Sequence, residues 1–199
     1  MDINYERLNY LLSFETSYIN RLIHCILDNA INDYEHVKSI YCMIVAYIAL
    51  EKMQQKKVCE NVEEYFLDNL YTKKEYKIFV GFIKKNTNNQ NGNEFSENQY
   101  DFKDINTLIR RYLIYFEDYI VDFIEDVLKD SRDDPEWSAV AANNLIVCYI
   151  DIGKQVGLKI PYDDVEGFFE YNQFDKENYL IFDYLQTRES TYYRGKRYM

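Results

Sequence analysis

Residues 102–131 read FKDINTLIRRYLIYFEDYIVDFIEDVLKDS. Apolar residues fall at Ile105, Leu108, Ile109, Tyr112, Phe116, Tyr119, Ile120, Phe123, Ile124, Val127 and Leu128. That is the i, i+3, i+4, i+7 rhythm of a helix with one buried stripe. No Gly or Pro interrupts it. At ~1.5 Å per residue such a helix is about 45 Å long, enough to cross a small domain. The expectation is a spine against which the other helices pack.

The outer face of this spine is acidic. Asp118, Asp122, Glu125 and Asp126 stand at i, i+4, i+7 and i+8, so their carboxylates share one side. Like charges so spaced destabilise a helix by about 0.2–0.5 kcal/mol per pair. From Glu117 to Glu136 there are nine acidic and two basic residues, net −7 of the chain's −11. Such a face is either plain solvation or a patch that steers a basic partner into fast encounter.

The rest of the chain also reads as helix. Apolar stripes at helical spacing mark 3–29 and 33–56. Asn32 with Glu35 reads as a cap of the second of these, and Asn61 with Glu64 as the cap of a short helix over 61–70. Thr72-Lys73-Lys74-Glu75 is a capping box opening a helix to about 85. NTNNQNGNEFSEN, 86–98, has no hydrophobic period and predicts a polar loop. Asp134-Pro135 is an N-cap followed by a residue suited to the first helical position, and Gly157 suits the end of that helix. Further helices are expected over 162–171 and 175–190. The terminal TYYRGKRYM is basic and aromatic, and reads as a frayed end or a partner for the acidic face.

No strand-and-turn series occurs, so the fold class is all-α: seven to eight helices in a bundle or irregular array around the long helix at 102–131. The chain of 199 residues is read as one domain, in which a loop at 86–101 divides an N-terminal part (1–85) from an acidic C-terminal part (102–199). Within 135–157, Ala141, Asn143, Asn144, Leu145, Tyr149 and Gly153 are spaced as in one helix of a tetratricopeptide repeat. No second copy is found at a fixed period, so this likeness names no family.

The chemistry-bearing residues are sparse. Of two histidines, His24 lies on a mostly apolar helix face and reads as a core residue, and His36 as exposed. Neither sits in a metal-binding pair or in the Arg-then-His spacing of helical ribonuclease toxins. Cys25, Cys42, Cys59 and Cys148 form no C-x-x-C pair and read as reduced thiols. No phosphate-cradling glycine motif or nucleophile elbow is present. No apolar run reaches the roughly 18 residues of a membrane span, and MDINYERL is no signal peptide. The reading is therefore a cytoplasmic protein with no enzyme activity, cofactor or metal.

Concentrated acidity and 21 tyrosines point to recognition, although Tyr, Asn, Lys and Ile together are also the mark of an AT-rich gene. The leading expectation is an immunity protein or antitoxin that neutralises a basic toxin, such as a nuclease, by direct protein–protein binding. Its contact residues are expected to be Glu117, Asp118, Asp122, Glu125 and Asp126, with Tyr115 or Tyr119 as aromatic anchor. A helical adaptor for a peptide or helix, and a nucleic-acid mimic that inhibits a host defence enzyme, are the alternatives. A net charge of −11 argues against direct nucleic-acid binding.

Overall fold

The computed structural model describes residues 3–28, 34–54, 59–90, 104–129 and 134–196. Every element among them is helical: α1 (Tyr5–Leu27), α2 (Tyr34–Met53), α3 (Val62–Asp68), α4 (Lys73–Gln90), α5 (Ile105–Leu128), α6 (Pro135–Gln155), α7 (Val165–Tyr171) and α8 (Lys176–Lys196). The chain is all-α.

Local chemistry sets the helix ends. Thr72 and Glu75 close a reciprocal capping box: the Thr72 N–H donates to Glu75 Oε2 at 2.7 Å, and the Glu75 N–H donates to Thr72 Oγ1 at 3.2 Å. Asp134 accepts from the Trp137 N–H at 3.0 Å, with Pro135 opening α6. Gly157, at φ 74°, turns the chain after α6, and the Leu158 N–H donates to the Gly153 carbonyl at 2.8 Å.

Several expectations are corrected. Residues 86–90 continue α4, because Asn and Gln weaken a helix without breaking it and the first Gly comes only at 92. The remainder of the proposed loop, 91–101, lies outside the described residues, as does the Asn32 cap. α5 starts at Ile105 and ends at Leu128, about 36 Å at ~1.5 Å per residue, and α8 runs on to Lys196 instead of fraying near 190. His24 is exposed, with its ring 5.2 Å from that of Tyr71, so it is no core residue. The His36 side chain lies outside the described set.

The chain forms two compact units, one of residues 12–115 and one of 1–11 with 116–199. The boundary between these units runs through α1 and α5. In the first unit α2, α3 and α4 pack on one another, and in the second α6, α7 and α8 do the same. Phe66 is the centre of an aromatic cluster in the first, against Tyr71, Tyr76 and Phe79. Phe169 is the centre of one in the second, against Phe174, Tyr179 and Phe182.

That parallel extends to the whole chain: α1–α4 and α5–α8 are two copies of one pattern. A shift of 101 residues lays Leu8, Leu11, Leu12, Tyr18, Ile19, Ile23 and Ile26 on Ile109, Tyr112, Leu113, Tyr119, Ile120, Ile124 and Val127, and all fourteen are buried. A shift of 102 lays Ile44-Val45-Ala46-Tyr47-Ile48 on Ile146-Val147-Cys148-Tyr149-Ile150. A shift of 103 lays residues 61–79 on 164–182, with eight of nineteen positions identical.

The geometry repeats with the letters. Asn61 and Asp164 cap seven-residue helices, each followed by an Asn and then a residue in the left-handed region, Leu70 at φ 67° and Gln173 at φ 63°. The Tyr71 N–H donates to the Phe66 carbonyl at 2.9 Å, as the Phe174 N–H does to that of Phe169 at 3.0 Å. The register drifts by one residue at two connections, so no single period matches throughout.

Candidate functional site

α5 carries the residues singled out by the sequence, and the structure sorts them into two groups. On the inner edge, Glu117 is an internal acceptor. The Tyr149 hydroxyl donates to its Oε2 at 3.0 Å and the Tyr162 hydroxyl to its Oε1 at 2.6 Å. This ties α5 to α6 and to the segment leading into α7. Both hydroxyls are held protonated far above the ordinary tyrosine range, first by burial and then by the Glu117 carboxylate. Tyr119 is buried, its ring 5.1 Å from Phe116 and 5.9 Å from Phe123. Tyr119 is thus a packing residue, and Glu117, partly exposed, has both carboxylate oxygens in internal bonds. Both stand at the rim of the apolar stripe, where a residue of either character turns inward once the helix is packed.

On the outer side, Asp118 is exposed, and Asp122, Glu125 and Asp126 are partly exposed. Glu125 pairs with Lys129 one turn on. Lys129 is the one lysine of α5's last turn and the residue after it, and its ammonium is held above the ordinary range by its bond to Glu125 and then by the charges of Glu125, Asp126 and Asp122. This one ammonium thus lies in the field of three carboxylates. Tyr115 is partly exposed, before this face begins.

The duplication supplies an internal control for this charge. The positions in α1 equivalent to Asp118, Asp122, Glu125 and Asp126 are Ser17, Arg21, His24 and Cys25. The buried positions between them match, yet no carboxylate stands at any of the four. Over the whole stretch 117–136 the net charge is −7, against −2 over 16–35. The same contrast separates 163–183, with seven acids and one Lys, from 60–80, with five acids and three Lys. The scaffold does not require this acidity, since its other copy folds without it. Sequence reading found the acid run but lacked this comparison.

The remaining chemistry is quiet. Among the described residues no group of three or more His, Cys, Asp or Glu could hold a metal ion, and no helix is long and apolar enough to cross a membrane. Cys42, Cys59 and Cys148 are buried, and Cys25 is partly so. Burial pushes the Cys59 thiol up to about 11, aided by its contact with Asp68 at 3.4 Å, and burial also raises that of Cys148. Two ion pairs, Arg7–Asp151 at 3.0 Å and Lys154–Asp163, line a groove of about 300 Å³ with Val147 and Ile150, and they compensate each other's charge. Comparison with protein-family models, curated proteins and solved structures finds no match for this chain.

Proposed function

We propose that this chain is a binding protein whose acidic α5 face docks a basic protein partner, acting as an immunity protein or antitoxin against a nuclease-type toxin. The observation that carries the reading is the concentration of acid along α5 and the connection after it, net −7 over 117–136 against −2 over the equivalent 16–35. Charge needed only for solubility would be expected to spread over both copies more evenly. A nuclease binds phosphate with Lys and Arg, and an acidic protein can occupy that surface with charge-steered association.

Apolar anchors accompany the charge in the same copy. Leu180, Ile181 and Tyr184 on α8 are 56, 44 and 62% exposed. Their equivalents in α4 are Lys77, Ile78 and Gly81; Ile78 is likewise 42% exposed, so the second copy differs by having Leu180 and Tyr184 in place of Lys77 and Gly81. Large apolar groups ringed by charge are the common composition of a recognition surface.

The test is affinity capture from the native host with the wild-type chain and with the triple variant D118K/D122K/E125K. A basic protein retained by the wild type at low salt, and lost from the variant, supports the reading. Equal recovery on both baits overturns the assignment to α5.

A further inference from the structure

The end of α7 and the start of α8 enclose a recess of about 190 Å³, lined by Glu166, Phe169, Glu170, Phe174, Asp175, Lys176 and Tyr179. Its size is below the roughly 300–1,000 Å³ of small-molecule sites and suits a single side chain. Its floor is aromatic: the Phe169 ring lies 5.0 Å from Phe174 and 5.4 Å from Tyr179. Its rim holds three carboxylates and one ammonium.

The equivalent positions in the first copy are Glu63, Phe66, Leu67, Tyr71, Thr72, Lys73 and Tyr76. The floor is aromatic in both, with Tyr71 in place of Phe174. At these positions the one carboxylate, Glu63, is 3.3 Å from Lys73, and a second, Glu75, is tied up in the capping box by the Thr72 hydroxyl at 2.7 Å. In the second copy Leu67 has become Glu170 and Thr72 has become Asp175. Asp175 does double duty, since its Oδ1 also accepts from the Asn178 N–H at 2.7 Å at the start of α8. The outcome is an aromatic recess with two carboxylates beyond what Lys176 offsets. The Tyr179 hydroxyl agrees with this field: burial first, then the charges of Asp183, Glu166 and Asp164, hold it protonated above the ordinary range.

We infer that this recess is a socket for one arginine side chain of a partner protein, its guanidinium set between the Glu166 and Glu170 carboxylates and the rings of Phe174 and Tyr179. A guanidinium is the group that both stacks on aromatic faces and forks onto carboxylates, and it sheds water more readily than an ammonium. The inference does not depend on α5 docking a partner, because the recess has its own walls and charge.

The experiment is an amide NMR titration of the labelled full chain with the tripeptide acetyl-Gly-Arg-Gly-amide and with its citrulline analogue, which keeps the shape and lacks the charge. The arginine peptide should shift the signals of residues 166–179 saturably, with the citrulline peptide about tenfold weaker. The variant E166Q/E170Q, altered only at exposed rim positions and checked for unchanged helicity, should lose this binding. Signals around Phe66 and Tyr76 should stay still. Equal response to both peptides, unchanged binding by E166Q/E170Q, equal shifts in both copies, or no saturable shift would each overturn the socket.

Discussion

Glu117 Oε1 accepts a hydrogen bond of 2.6 Å from the Tyr162 hydroxyl, while its other oxygen accepts from Tyr149. One carboxylate thus satisfies two nearly buried phenols from different segments. Glu117→Leu leaves both hydroxyls without their acceptor and should cost about 1–3 kcal/mol in urea unfolding. Glu117→Gln, which keeps one acceptor, should cost less. If Glu117→Leu left the midpoint unchanged, the carboxylate would have no part in holding these segments together.

The same tyrosines set the alkaline limit. In the unfolded chain each ionises near 10.0, whereas in the fold Tyr149 and Tyr162 are raised well beyond that, and burial followed by the Glu75 charge pushes Tyr71 up to about 12. Above pH 10 the folded state therefore holds more protons than the unfolded one. Their contribution to stability is complete below the unfolded value and is lost as the pH rises from 10 towards 12 and past it. Ultraviolet titration at about pH 11 should count fewer tyrosinates in the native chain than in urea. Equal counts would contradict the burial argument.

Leu70 is 94% exposed and sits at φ 67°, a region that costs a non-glycine residue about 1–2 kcal/mol. With no burial to lose, Leu70→Gly should raise the unfolding free energy by about 1 kcal/mol after the added freedom of the unfolded chain is counted. The equivalent Gln173→Gly should behave alike. A fall in stability for Leu70→Gly would show that the leucine side chain makes a contact of its own.

Two copies of one scaffold should show two equal centres. Phe66 and Phe169 are fully or almost fully buried, each among three aromatic neighbours. Phe66→Ala and Phe169→Ala should each cost about 3–5 kcal/mol, read as lost unfolding free energy. A cost at one position and none at the other would separate the copies energetically.

Much of this was legible from residues, and the misses have physical causes. The Thr72–Glu75 box and the Asp134-Pro135 start were readable because a cap is a contract between neighbours three residues apart. The helices themselves were readable because burial follows a 3.6-residue period. Glu117 and Tyr119 were not placed, since periodicity locates a stripe but not which of its margins another helix covers. Glu117 in particular is drawn inward by Tyr149 and Tyr162, which are 32 and 45 residues away in sequence. The duplication hid behind connections of unequal length, and only the shared cap, left-handed turn and aromatic cluster after each short helix made it plain. Of the candidate site, the charge was visible in the sequence. Its concentration on α5 relative to α1 needed the alignment of the two helices that the buried residues provide.

The most direct test of the central claim is the association rate of the captured partner with this chain as a function of ionic strength. If the carboxylates of Asp118, Asp122 and Glu125 steer encounter, the rate should fall steeply as salt rises past the point where the screening length drops below about 10 Å, and D118K/D122K/E125K should be slow even at low salt. A rate that is independent of salt and the same for both chains would contradict the account.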